Sequence, residues 1–232
     1  MTAPRRVVLL RHGRTAHNAD GVIQGQLDSP LDAAGLAQAD AVAAVFAATP
    51  PAVLLTSDLA RAAATAAALS RTTGTEAVVD ARLRELDLGT WQGLTGEQVR
   101  ALHPDEWAAW RAGEDVGRGG GETYREAGAR AAAAVRERLD DVPAGGTLLA
   151  VTHGGTARAA LGVLLELAPA SWGRLAPLGN ACWSTLVEAH WGWRLERHNA
   201  GSGSLLGPPG GHDVGAAPVS PPRPSPDDEP VR

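Results

Sequence analysis

The chain has 232 residues, 44% of them hydrophobic, and a formal net charge of −5. That length can bury one sizeable core, and the mild, interspersed charge excludes a strongly basic nucleic-acid surface and an acidic solvating protein, so a small molecule is the expected partner. Cys182 is the only cysteine, which excludes an intrachain disulfide and a cysteine-based metal cluster. The start offers only the short apolar run Val7 to Leu10 before charge returns, far short of a signal peptide or a membrane span; no membrane association and a cytoplasmic location are expected.

In chain order, Val7 to Leu10 reads as a buried strand. Leu31 to Phe46 reads as a helix with apolar Leu31, Leu36, Val42, Val45 and Phe46 among many alanines, stopped by Pro50-Pro51. Ala52 to Leu55 follows as a strand, Asp58 to Arg71 as an alanine-rich helix, and Val78-Val79 as a weaker strand. Residues 95 to 112 read as one or two short helices broken at Pro104, and Thr123 to Leu139 as a longer helix after the loop Gly119-Gly120-Gly121. A turn at Pro143 to Gly146 leads into the strand Thr147 to Val151 and a helical stretch from Thr156 to Leu167. The large aromatics between Trp183 and Trp193 read as strand core, with an edge there as a candidate for pairing two copies into a homodimer. From residue 202 the chain turns rich in Pro, Gly and Ser: half of its sixteen prolines lie in the last 31 residues. Such a segment has too few apolar groups to offset its ordering entropy, so a disordered tail over 202–232 is expected behind a domain of residues 1–201.

Strands alternating with helices imply a mostly parallel sheet covered on both faces, with a crevice beyond the strand C-termini. Polar, glycine-bearing groups end three of the strands: Arg11-His12-Gly13, then Thr56-Ser57-Asp58 with Arg61, then Thr152-His153-Gly154-Gly155. Two imidazoles and two guanidiniums at one rim make an anion pocket, and the arginine fork suits phosphate. Taken singly, each has a plainer reading. A lone His after a strand is usually a satisfied polar residue, Asp58 and Arg61 at i, i+3 would decorate a helix surface, and Glu85 would be an ordinary surface carboxylate.

Their joint pattern carries more. Leu10-Arg11-His12-Gly13 with Thr15 and Asn18, Ser57-Asp58-Leu59-Ala60-Arg61-Ala62 with Thr65-Ala66, Leu83-Arg84-Glu85 with Gly89 and Trp91-Gln92-Gly93, and Val151-Thr152-His153-Gly154-Gly155 resemble, in order, the blocks of the histidine phosphatase (phosphoglycerate mutase-like) superfamily. The resemblance implies a three-layer α/β/α sandwich with a mostly parallel central sheet. It implies that His12 takes the phosphoryl group covalently, that Arg11, Arg61 and His153 hold the phosphate oxygens with Gly154 beside them, that Glu85 is the proton donor, and that Asn18, Gln24 and Gly25 complete the substrate-binding set. The residue types agree with it. A loose phosphoryl transition state needs positioning and charge neutralisation above all, and a neutral imidazole is a competent nucleophile at pH 7. No metal and no cofactor are expected; His17, His103, His190, His198 and His212 fall in no metal-ligand spacing and receive no role. Arg14 departs from the Glu or Gln often found after the glycine and would add a cation near the mouth.

Three functions share these residues: a phosphatase acting on a small phosphorylated metabolite, a phosphoglycerate mutase, and a phosphate-binding regulatory protein without turnover. Glu85 and His153 are 68 positions apart, and cofactor-dependent mutases of the superfamily carry a longer insertion there that shields the phosphoenzyme from water; the phosphatase is favoured. Further stretches that resemble small-molecule phosphatases of the superfamily, Ile23 to Asp28, Leu88 to Thr95, Gly179 to Ser184 and Trp193 to Leu195, lie largely outside the phosphate pocket, where substrate choice would be set.

Overall fold

The structure, a computed structural model, describes residues 3–201; the tail expected over 202–232 lies outside the described residues. Strands β1 (Arg6–Arg11), β2 (Val53–Thr56), β3 (Ala77–Val79) and β4 (Thr147–Thr152) run parallel, while β5 (Trp183–Ala189) and β6 (Gly192–Ala200) are antiparallel. Together they form one six-stranded sheet in the order β3-β2-β4-β1-β5-β6. The helices are α1 (Ala16–Ala19), α2 (Ala33–Phe46), α3 (Ala60–Thr73), α4 (Gly96–Leu102), α5 (Pro104–Arg111), α6 (Tyr124–Glu137) and α7 (Gly154–Leu164).

Because successive strand residues point to opposite faces, β1, β2 and β4 feed two cores. Val7, Leu9, Val53, Leu55, Leu148 and Ala150 pack against the alanine faces of α6 and α7. Val8, Leu10, Leu54, Leu149 and Val151 pack against α2 and α3. The result is the expected α/β/α sandwich, and each fully buried leucine contributes about 2 kcal/mol. A third, separate cluster of Ile23, Leu86, Leu88, Trp91, Val99, Trp110 and Ala127 lies beside the sheet's C-terminal end, with Trp91 edge-on to Trp110 at 5.8 Å. No helix among the described residues is long and apolar enough to cross a membrane.

Local chemistry explains most element boundaries. Thr15, Thr95 and Thr123 open α1, α4 and α6 through capping boxes with Asn18, Gln98 and Glu126. Pro104 occupies the first turn of α5 and so separates it from α4. Four expectations shift. Helix α3 begins at Ala60, since Asp58 turns away to pair with Arg84 at 2.5 Å. Helix α7 starts two residues early, at Gly154, because a carboxylate from elsewhere engages its first N–H groups, and it ends at Leu164 just before Glu166 with φ 54°. In α2, Leu36 and Val45 are exposed while Ala39, Val42 and Ala43 do the packing; small residues let the helix lie close to the sheet. Trp183 is core, edge-to-face with Phe46 at 5.4 Å, whereas Trp191 is exposed in the turn between β5 and β6.

Candidate active site

Strands β1 and β4 are hydrogen-bonded neighbours with Arg11 opposite Thr152, so the residues that follow them, His12 and His153, emerge side by side, their ring centroids 5.0 Å apart. The loop behind His12 is tight: a side chain on Gly13 would run into the carbonyl of Gly35 at the start of α2, and the Gly13 N–H donates to Thr65 Oγ1 on α3 at 3.1 Å. Only glycine permits that approach.

His12 is buried, and its Nδ1 lies 2.7 Å from the Gly13 carbonyl. A carbonyl only accepts, so Nδ1 carries the proton and Nε2 keeps its lone pair. Burial, then the charges of Arg61 and Arg11, hold the His12 imidazole well below the ordinary 6.5. The ring lines a cavity of about 300 Å³ together with Arg11, Asn18, Gln24, Gly25, Arg61 and Glu85.

Arg61, 1% exposed on α3, donates from Nε to His153 Nδ1 at 3.2 Å, from Nη1 to the Leu27 carbonyl at 2.7 Å and from Nη2 to the Gly25 carbonyl at 2.7 Å. Gly25 is at φ 52°, a left-handed conformation that turns its carbonyl to the guanidinium. Two of the five N–H groups remain for an anion. Burial outweighs the attraction of Glu85 and Asp28 and lowers the Arg61 pKa to about 10, which still leaves about one molecule in a thousand neutral at pH 7. Arg11 gives one N–H to the Leu178 carbonyl at 2.6 Å and keeps a buried Nε without a partner.

The two amides present donors. Asn18 Oδ1 accepts from Thr15 N at 3.2 Å and Asn180 Nδ2 at 3.1 Å, and Gln24 Oε1 accepts from Ser29 Oγ at 2.6 Å. With both oxygens committed, the NH2 ends are what these side chains offer an anion. His153 and Gly154 are buried and lie behind the cavity lining; His153 Nε2 sits 3.0 Å from Ser57 Oγ, so a direct contact with phosphate requires the ring to release Ser57. Burial and Arg61 keep this imidazole well below 6.5 too.

Glu85 meets the N-terminus of α7. Its carboxylate accepts from the N–H groups of Leu86 (3.0 Å), Gly155 (3.1 Å) and Thr156 (2.9 Å) and from Thr156 Oγ1 (3.0 Å), where a negative charge also meets the favourable end of the helix dipole. Arg130 on α6 holds the segment before it, donating to the carbonyls of Arg82, Arg84 and Glu85 at 2.6, 2.8 and 3.0 Å while paired with Glu122. Arg14 lines the cavity mouth but is paired with Asp32 at 2.8 Å.

Some contributors carried no role in the sequence reading: Arg130, Asn180, Arg118, Arg158, and His17, which lines the cavity with a buried, unpartnered Nδ1. Arg158 had a faint signal, as the one charge in the otherwise apolar and small-residue run of α7. Asn180 lay in the stretch Gly179 to Ser184 without a role of its own, and Arg130 had no signal, since its backbone acceptors are distant in sequence.

The buried neutral histidines set an acid limit on stability. Their folded pKa values lie below 6.5, so as pH falls through about 6.5 the unfolded chain binds protons that the folded chain does not, and stability drops. Two histidines give a loss of up to about 2.7 kcal/mol per pH unit. Urea midpoints measured from about pH 7.5 to about pH 5 should decline along that slope, before the paired carboxylates titrate; a flat midpoint would contradict the burial of both rings.

Residues 7–201 match the family model of the histidine phosphatase superfamily (branch 1), and the chain belongs to that superfamily. It is a phosphatase of that superfamily. It is similar to the glucosyl-3-phosphoglycerate phosphatase of Mycobacterium tuberculosis, 39% identical over 212 residues that cover 84% of this chain and 95% of the relative. A probable phosphoglycerate mutase, GpmB, of Yersinia enterocolitica is 38% identical over 201 residues, 82% of this chain and 91% of that one. Among solved structures, the mycobacterial glucosyl-3-phosphoglycerate phosphatase in complex with VO3 superposes with a TM-score of 0.78 at 40% identity, covering 84% of this chain and 99% of that chain.

Proposed function

We propose that the protein hydrolyses the phosphomonoester of glucosyl-3-phosphoglycerate, or a closely related acid, through a phosphohistidine at His12. The observation that carries the reading is the orientation of His12: Nδ1–H is tied to the Gly13 carbonyl, leaving the Nε2 lone pair for a cavity shared with Arg11, Arg61 and Glu85. Arg11, Arg61 and the amide N–H groups of Asn18 and Gln24 hold the phosphate oxygens. His12 Nε2 attacks phosphorus as the ester P–O bond breaks, and Glu85 protonates the leaving oxygen. Water then attacks the phosphohistidine, giving its proton to Glu85 and returning His12 as the neutral imidazole with release of inorganic phosphate. His153 and Ser57 act behind the pocket by fixing Arg61. The choice of ester is supported by the likeness to the mycobacterial enzymes. The same reading takes residues 1–201 as the catalytic domain, places the enzyme in the cytoplasm, and assigns any pairing of two copies to the edge strand β6.

Phosphate release from glucosyl-3-phosphoglycerate, 3-phosphoglycerate and p-nitrophenyl phosphate tests it. The first should be the preferred substrate, with no interconversion of 2- and 3-phosphoglycerate; equal rates on all three would defeat the specific assignment. Glu85→Gln should lower kcat about 10^3-fold on the sugar ester, whose leaving alkoxide needs a proton. On p-nitrophenyl phosphate, whose leaving group does not, the loss should be far smaller, and equal losses on both would remove Glu85 as the proton donor.

A further inference from the structure

The cavity holds more positive charge than phosphoryl transfer requires. Arg118 and Arg158 line it along with Arg11 and Arg61, and Glu85 is the single carboxylate among the lining residues. Arg118 is 3% exposed and Arg158 5%. Each has a buried Nε without a hydrogen-bond partner, and neither joins an ion pair among the described residues. Arginine is rarely buried without a counter-charge, because desolvating it is costly.

Their placement is built rather than incidental. The guanidinium of Arg118 lies 4.7 Å from the Tyr124 ring centroid and 5.8 Å from that of Trp110, contacts that orient the fork and offset part of its desolvation. The loop that carries it is fixed to the segment following Glu85: Gly119 N donates to Glu106 Oε2 at 2.8 Å, which also accepts from Trp91 Nε1 at 3.1 Å, and Glu122 N donates to the Asp87 carbonyl at 2.8 Å. Arg158 projects from α7, one turn beyond the N–H groups that hold Glu85. Both cations line the same cavity as Glu85, and the elements that carry them are tied to the Glu85 segment by the hydrogen bonds of Gly155, Thr156 and Glu122.

We propose that Arg118 and Arg158 form a second anion subsite that holds a carboxylate on the leaving alcohol. The proposal rests on the phosphatase reading above and narrows its substrate class to phosphate esters of hydroxy acids. The planar forks present paired N–H donors that suit a carboxylate.

The test compares 3-phosphoglycerate with glycerol 3-phosphate, which replaces the carboxylate by a hydroxymethyl group. The wild-type enzyme should favour the acid by about 30-fold in kcat/KM, the scale of a charge-assisted contact. Arg118→Lys and Arg158→Lys should each cut that ratio by about tenfold, chiefly through KM for the acid, with a smaller effect on glycerol 3-phosphate. Wild-type hydrolysis of both esters at equal kcat/KM would overturn the subsite and leave the phosphatase standing, and it needs no variant to fold. Equal losses on both esters in the variants would make the two arginines structural. Hydrolysis of neither ester, nor of glucosyl-3-phosphoglycerate or p-nitrophenyl phosphate, would overturn the phosphatase reading itself.

Discussion

His12→Gln lowers kcat by about five orders of magnitude, the scale seen when a covalent nucleophile is deleted, and leaves the fold in place. The side chain is buried at the end of β1, and its amide replacement can still meet the Gly13 carbonyl through an N–H. What disappears is the imidazole lone pair that accepts phosphorus. Wild-type enzyme given a radiolabelled phosphomonoester and quenched in alkaline detergent should carry label that survives alkali and is lost in acid, and the variant none. A variant that kept that label, or more than about a hundredth of wild-type kcat, would place the nucleophile elsewhere; His17, the other imidazole lining the cavity, would be the next candidate.

Arg61→Met carries the second large effect, and it falls on stability as well as on turnover. Removing the guanidinium strands the Gly25 and Leu27 carbonyls and His153 Nδ1 in a buried site. Each lost partner costs about 1–3 kcal/mol, while relief from burying a charge returns part of it, for a net loss of about 3 kcal/mol. Turnover should fall about 10^3-fold, as for loss of a preorganised transition-state cation. Arg61→Lys should rescue neither property, because a single ammonium cannot span two carbonyls, an imidazole and a phosphate. Urea midpoints and kcat for the pair read both effects. Full turnover in Arg61→Lys would show that the site needs only a positive charge there.

The site was legible where function depends on residues next to strand ends. His12 and His153 each follow an apolar run, and the parallel register of β1 and β4 that unites them follows from alternating strands and helices. Arg61 was legible only through the joint pattern. Its neighbour Asp58 looked like its ion-pair partner, yet Asp58 pairs with Arg84, and Arg61 turns inward to backbone carbonyls more than thirty residues away. Such acceptors leave no trace in residue type. The same holds for Arg130, whose acceptors are three carbonyls, and for Arg118, held by aromatic faces. Helix α2 shows the converse: its larger apolar residues suggested the buried face, but packing on the sheet is done by Ala39, Val42 and Ala43, and Leu36 and Val45 are left to solvent. The early start of α7 depends on Glu85, 69 residues upstream of Gly154, and no local rule carries that information.

The third apolar cluster gives the molecule a division of labour. The nucleophile and the arginines of the phosphate pocket are mounted on the two large cores of the sheet, whereas Leu86, Leu88, Trp91, Val99 and Trp110 form a small core of their own that supports the Arg118 wall. Mutations that repack the small core need not disturb the strands that align His12. Lineages descended from one phosphoryl-transfer scaffold could therefore diversify the alcohol they release by reworking residues 86–122, inheriting the chemistry unchanged while the choice of metabolite drifts.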